Sequence, residues 1–320
     1  MRSPVPLMVR SEFSFLNGAS RLEELVKVAA QLGYDTLALT DVDHLCGVPE
    51  FLGLCKRHGV RPILGVELTL NTGRIIALAK SRKGFASLCR LLTQSHLENE
   101  RRQPKLHEGR LLDDAEDMIL IAGGNDAPLV SWVYQRRMEK AEAWLRGVRD
   151  RLSADFFVRI ERTFQPMQQE FNAHLTALCS DLNIPVVACN PVHYARPDQY
   201  RIFDLLSCIR NLIKLDDPHP ERPINGFGYL QSPTAFTRLF EDMPQALEMT
   251  HVIADRCEDY SLNDEAYRPR FGSISEDASI RKLCQLAEAG ARRKYGTIDD
   301  ELDKRIKYEL SVITDLGFAG

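Results

Sequence analysis

The stretch LMVRSEFSFLNGAS, Leu7–Ser20, begins as a short apolar strand, passes through a polar turn and delivers the chain to a helix. In α/β proteins the segment after a strand is where functional side chains are mounted, at one end of the sheet. Ser20 and Glu23 have the spacing of a capping box. Leu22, Leu25, Val26, Ala29 and Leu32 then form one apolar helical face, and Gly33 is placed to end the helix.

The alternation continues along the chain. TLALT (Thr36–Thr40), RPILGVEL (Arg61–Leu68), RIIALA (Arg74–Ala79), MILIAGG (Met118–Gly124), DFFVRIE (Asp155–Glu161) and IPVVACN (Ile184–Asn190) read as strands, with LNTG (Leu70–Gly73) a tight turn between two of them. Helical patterns cover Val48–His58, Lys83–His96, Leu129–Leu152, Pro166–Leu182 and Gln199–Ile209. Strands alternating with helices imply a parallel sheet, open or closed into a barrel. The polar run Leu97–Arg110 reads as an exposed loop. From Lys214 the chain turns rich in Pro, Gly and Asp, then mostly helical over Pro233–Leu239, Pro244–Asp259, Ala278–Tyr295 and Glu301–Leu316. The last residues, ELSVITDLGFAG, stop straight after a helical run and read as a cut within a longer chain.

The 320 residues suit one large domain, or one domain and part of another. Hydrophobic content of 44% and charged content of 27% are those of a globular protein, and a net charge of −4 gives no global pull toward nucleic acid or anionic membrane. No apolar run reaches the roughly 20 residues of a membrane span, and MRSPVPLMVR lacks the core of a signal peptide, so a cytoplasmic protein is expected. The eight cysteines form no C-x-x-C pair and read as reduced core thiols. The glycines of AGGN (Ala122–Asn125) lack the fingerprint of a dinucleotide site.

At the strand ends stand Met8, Arg10 and Asn17; Asp41, Val42, Asp43 and His44; Glu67; Arg74; Gly123 and Gly124; and Asn190, Pro191 and His193. Together, LMVRSEFSFLNGAS, LALTDVDHLCGVPEF, RPILGVEL, IIALAKSRKGFASLCRLL and IPVVACNPVHY closely resemble the PHP (polymerase and histidinol phosphatase) domain. The version resembled is the one that opens bacterial DNA polymerase III α subunits, and SEFSFLNGASRLEEL, LTLNTGRII and GFASLCRLL look nearest to their error-prone, damage-response paralogues. KRIKYELSVITDLGFAG resembles the segment leading into the polymerase palm. The resemblance implies an irregular β/α barrel of the PHP type over residues 1–262 and a mainly helical connector over 263–320.

In active members of that family a cleft at the strand ends binds up to three divalent metals and hydrolyses phosphoesters. Imidazole and carboxylate ligands hold the ions, and a metal-bound water becomes the nucleophile. Here the first two histidine positions carry Met8 and Arg10, an acidic position carries Asn17, and further ligand positions carry Val42, Arg74, Gly124 and Pro191. Glu67 and His193 are retained, with Asp41 beside a lost ligand. Val42, Gly124 and Pro191 offer no side-chain donor, Met8 is a soft thioether, and Arg10 and Arg74 are permanent cations. The expectation is therefore a degenerate cleft without catalytic residues or metal, in which Arg10, Arg74 or both pair with Glu67 in place of the metal charge. Asp41 is expected as a buried acceptor, Asp43 and His44 as solvated (His44 being the one candidate substitute ligand), and His193 as a hydrogen-bonded remnant.

By this resemblance the intact protein carries out template-directed DNA synthesis with divalent metals bound in a palm outside this stretch. The stretch itself would support the polymerase and dock replication or translesion proteins, such as a proofreading exonuclease. The competing reading is a free-standing metal-dependent phosphoesterase with rearranged ligands. Basic clusters at Arg101/Arg102/Lys105, Arg136/Arg137, Arg292/Arg293/Lys294 and Lys304/Arg305/Lys307 read as solvated faces, the last two being the better candidates for contact with nucleic acid.

Overall fold

The structure, a computed structural model, describes residues 2–124, 129, 132, 133, 135, 137–258, 272 and 274–320. Asn125 of AGGN, Arg136 of a basic cluster, the start of the helix expected from Leu129 and the expected connector from 263 through 271 lie outside them. The chain divides into two compact units, Met1–Ser261 and Leu262–Gly320.

In the first unit six strands form one sheet in sequence order: β1 (Thr36–Leu39), β2 (Arg61–Leu70), β3 (Gly73–Ala79), β4 (Met118–Gly123), β5 (Phe156–Ile160) and β6 (Val186–Ala188). β1 and β2 are parallel, β2–β3 and β3–β4 antiparallel, and β4–β5 and β5–β6 parallel. The hairpin between β2 and β3 is tight, with Leu70 opposite Gly73. The helices are α1 (Leu22–Leu32), α2 (Val48–His58), α3 (Arg82–Leu97), α4 (Glu108–Asp113), α5 (Met138–Leu152), α6 (Gln168–Asp181), α7 (Tyr200–Asn211), α8 (Pro233–Leu239) and α9 (Pro244–Asp255). The fold is mixed α/β with a curled sheet, as the alternation of patterns implies.

The sheet closes through residues 6–10. Ala38 N donates to Pro6 O (3.0 Å) and Thr40 N to Val9 O (2.9 Å) on the β1 side. Arg10 N donates to Val192 O and Val192 N to Met8 O, both at 2.9 Å, on the β6 side. The expected first strand is thus an extended seam whose one ladder contact is the bridge Val9–Val192. Pro6 has no N–H, and Val9 N bonds the Thr40 hydroxyl at 2.9 Å rather than a backbone carbonyl, so no regular ladder forms.

Two-residue alternation divides the core. Ile75, Ala77 and Ala79 of β3 and Met118, Leu120 and Ala122 of β4 face the helices. Ile76, Leu78, Ile119, Ile121, Phe157 and Val187 face the enclosed side, where Met8 is also buried. At about 25 cal/mol per Å² of apolar surface, these two layers are the main driving force for the fold.

Two local expectations give way to tertiary contacts. Ser20 does not cap α1; its hydroxyl donates to Gln199 Oε1 (2.6 Å) and accepts from Ala195 N (2.7 Å), and Arg21 stands at the cap position without a side-chain bond. The polar stretch 97–110 ends in the first turn of α4, where the His107 ring accepts from Gly109 N, and Leu106 bridges to Leu70. Leu106 is buried, so that loop is anchored rather than free.

The second unit holds α10 (Glu276–Tyr295) and α11 (Asp300–Asp315), capped by Ser275 to Ala278 N and by Asp299 to Leu302 N. Lys307 pairs with Asp303 at 2.7 Å and Arg305 pairs with Glu309, each one turn along α11, which is the bonding of a solvated helix face.

Candidate functional site

The strand ends of the first unit surround an open cleft of about 880 Å³, lined among others by Arg10, Asn17, Arg74, Glu161, Pro191 and His193. Its floor is Glu67. This carboxylate is fully buried, sits opposite Ile76 in the β2–β3 register and thereby faces the enclosed side of the sheet. Arg10, brought in by the seam, grips it with both arms of its fork: Nε donates to Oε2 and Nη2 to Oε1, each at 2.8 Å. The bidentate geometry is the strong form of the guanidinium–carboxylate bond. Arg74, at the start of β3, adds a looser contact of 3.7 Å to Oε1 and is 28% exposed.

His193 completes the floor. Its Nδ1 lies 2.9 Å from Asn17 O, and a carbonyl only accepts, so Nδ1 carries the proton. Arg10 Nη1 lies 3.3 Å from Nδ1 and 3.4 Å from Nε2, and the ring stacks on Phe203 at 4.3 Å. The Asn17 side chain is used elsewhere, with Oδ1 accepting from Arg210 Nη1 at 2.8 Å, and the same nitrogen donates to Leu16 O.

Asp41 is buried under a cap of neutral donors. Ser11 N (2.7 Å), Ser11 Oγ (2.8 Å) and Ser14 Oγ (2.6 Å) all donate to it, and Ser14 Oγ also accepts from Val42 N. Asp43 corrects the expectation of a solvated residue. It is buried, its backbone is left-handed with φ 57°, and it accepts from Thr69 N (2.7 Å) and Thr69 Oγ1 (2.6 Å). The reason is that β2 runs on to Leu70, which carries Thr69 past the turn. Burial pushes the Asp43 carboxyl up from its ordinary value, against the lowering by the Thr69 bonds and by Arg74. His44 is half-buried rather than solvated, with Nδ1 enclosed.

Sequence reasoning missed two residues. Arg159 and Glu161, on β5 and just beyond it, form a second buried pair with Nε donating to Oε1 at 2.8 Å. The signal was present in FFVRIE: Phe157, Arg159 and Glu161 alternate onto one face, and two charges in an otherwise apolar strand need partners there.

These residues do not fit a divalent metal centre. Both Glu67 oxygens are held by Arg10, Val42, Pro191 and Gly124 bring no donor, and Met8 belongs to the apolar core. Among the described residues no three His, Cys, Asp or Glu side chains converge as a metal-binding group. The cleft is also close to charge balance. Arg210 Nε is 3.7 Å from Glu221, and Arg222 holds Asp204 with bonds of 2.9 and 2.7 Å.

Comparison with known proteins agrees with this architecture. Residues 6–163 match the PHP domain. A PHP domain therefore makes up this part of the chain. Over 98% of its length it is 34% identical to an error-prone DNA polymerase of Symbiobacterium thermophilum, of which it covers 30%. Over 99% of its length it is 26% identical to the DNA polymerase III subunit alpha of Vibrio cholerae, covering 29% of that protein, and 28% identical to that of Pseudomonas aeruginosa, again covering 29%. The PHP chain thus spans about 30% of the length of the polymerases it matches. Among solved structures, an amidohydrolase from Chromobacterium violaceum overlays on 59% of this chain and 87% of that one, with 12% identity and a TM-score of 0.40, too loose a likeness to add to the family match.

Proposed function

We propose that this PHP domain is the N-terminal part of a bacterial DNA polymerase of the III α type, and that its own cleft is a structural element without hydrolytic activity. The observation that carries the second half is the bidentate Arg10–Glu67 pair. A carboxylate already bound through both oxygens by a permanent cation is a poor metal ligand, and Arg10 would repel the ion. The first half rests on the likeness to polymerases along nearly the whole chain.

On this reading the intact protein extends a primer on a template in the cytoplasm, using divalent metals held outside these residues. Its place is DNA replication, or repair and translesion synthesis if the error-prone relative is the better guide. The PHP unit supports the rest of the polymerase and offers a face to other replication proteins, a proofreading exonuclease among them. In keeping with that setting, no described helix is long and apolar enough to cross a membrane.

The test has two parts. Primer extension by the intact gene product is expected, and its absence would contradict the polymerase reading. Phosphomonoester and DNA-end hydrolysis by the purified chain, with manganese or zinc supplied, are expected at background. Turnover that disappears in Glu67→Ala or His193→Ala would restore the phosphoesterase reading.

A further inference from the structure

We propose that Arg159 is a second built-in cation of the cleft, seated in the volume that Gly124 leaves open and held there by Glu161. The pair is 0% and 4% exposed, and its Nε–Oε1 bond is 2.8 Å. Gly124 has a left-handed φ of 72°. A Cβ built on it would collide with Glu161 Oε1 and Arg159 Nε and would stand 2.6 Å from Arg159 Nη2. Any side chain at position 124 therefore competes with the ion pair for the same space.

The two ion pairs are neighbours. Glu161 lines the cleft beside Arg10, Arg74 and His193. Arg159 with Glu161 is thus a second internal guanidinium–carboxylate pair in addition to Arg10 with Glu67. The loss of metal ligands is then matched at two separate places by internal cations. Restoring imidazoles at Met8 and Arg10 would still leave the Arg159 guanidinium on Glu161, which lines the cleft. This inference does not depend on whether the intact protein polymerises DNA.

The experiment is thermal unfolding of the protein and its variants. Arg159→Met should lower Tm by about 6–15 °C, because it removes the guanidinium bonded to the buried Glu161 carboxylate, while Arg159→Met with Glu161→Leu should recover most of the loss. An unchanged Tm in Arg159→Met, or failure of the double variant to fold, would overturn the proposal. The space claim is tested by Gly124→Ala. Its Tm loss should be several degrees larger in the parent than in an Arg159→Ala/Glu161→Ala background, since backbone strain at φ 72° is common to both and only the collision differs. Equal losses would show that the pair is not seated there.

Discussion

Asp41 and Glu67 are both buried carboxylates at strand ends, and their backbones touch, Glu67 N donating to Asp41 O at 3.1 Å. They are satisfied in opposite ways. Asp41 is wrapped by neutral donors from one short turn, Ser11 and Ser14. Glu67 is neutralised by an arginine 57 residues away, with a histidine behind it. The difference teaches that a buried carboxylate can be accommodated by polarity alone when a tight turn gathers enough donors. The floor of an open cleft has no such turn and needs a full opposite charge. The polar turn is local; the ion pair, expected from the residue types, forms only when residues 6–10 close the sheet.

This comparison is most exposed at Arg10. Arg10→Met is expected to destabilise the protein by about 3–5 kcal/mol in urea unfolding, because Glu67 remains buried with only the longer Arg74 contact. Adding Glu67→Leu should recover most of that loss, and a neutral result for the single variant would show that Glu67 is solvated or otherwise held. Asp41→Ala comes next, at about 2–3 kcal/mol, because it leaves the Ser11 amide and two hydroxyls without their acceptor. A second neutralising change at Ser11 should not rescue it, which separates this corner from the ion-paired one. Arg74→Ala should cost less than about 1 kcal/mol, since its contact is long and partly screened by solvent. A cost equal to that of Arg10→Met would mean that the two arginines share the charge.

The smallest effect belongs to Asp43→Asn. Burial raises the Asp43 carboxyl in the folded state, so its contribution to stability is full below the unfolded pKa and is lost as pH rises through the folded one. The asparagine variant, which tolerates the left-handed backbone, should therefore gain on the parent as pH rises from about 4 to neutrality, by about 1 kcal/mol or less. A gain in the opposite direction in pH-dependent unfolding would contradict the assigned cause.

Much of the fold was legible because periodicity and turn chemistry agree with the tertiary structure. RPILGVEL and RIIALA across a tight turn became the β2–β3 hairpin, and Gly33 ends α1 in a left-handed turn. What was not legible depended on distant partners. The Ser20 hydroxyl is drawn from α1 by Ala195 and Gln199, and Asp43 is buried because Thr69 reaches it from an extended β2. In the cleft, the residue types at Met8, Val42, Gly124 and Pro191 are enough to rule out side-chain ligands suited to hard metal ions. The identity of the second cation was obscured because Arg159 sits in a run that reads as core strand, and only the face it shares with Glu161 and Phe157 shows its role.

The most direct test is elemental analysis of the protein purified under native conditions without chelator, beside its Glu67→Ala variant. The account predicts less than stoichiometric zinc, iron or manganese in both, because Arg10 already supplies the positive charge at Glu67. One or more tightly held ions per chain in the parent, lost in Glu67→Ala, would contradict it.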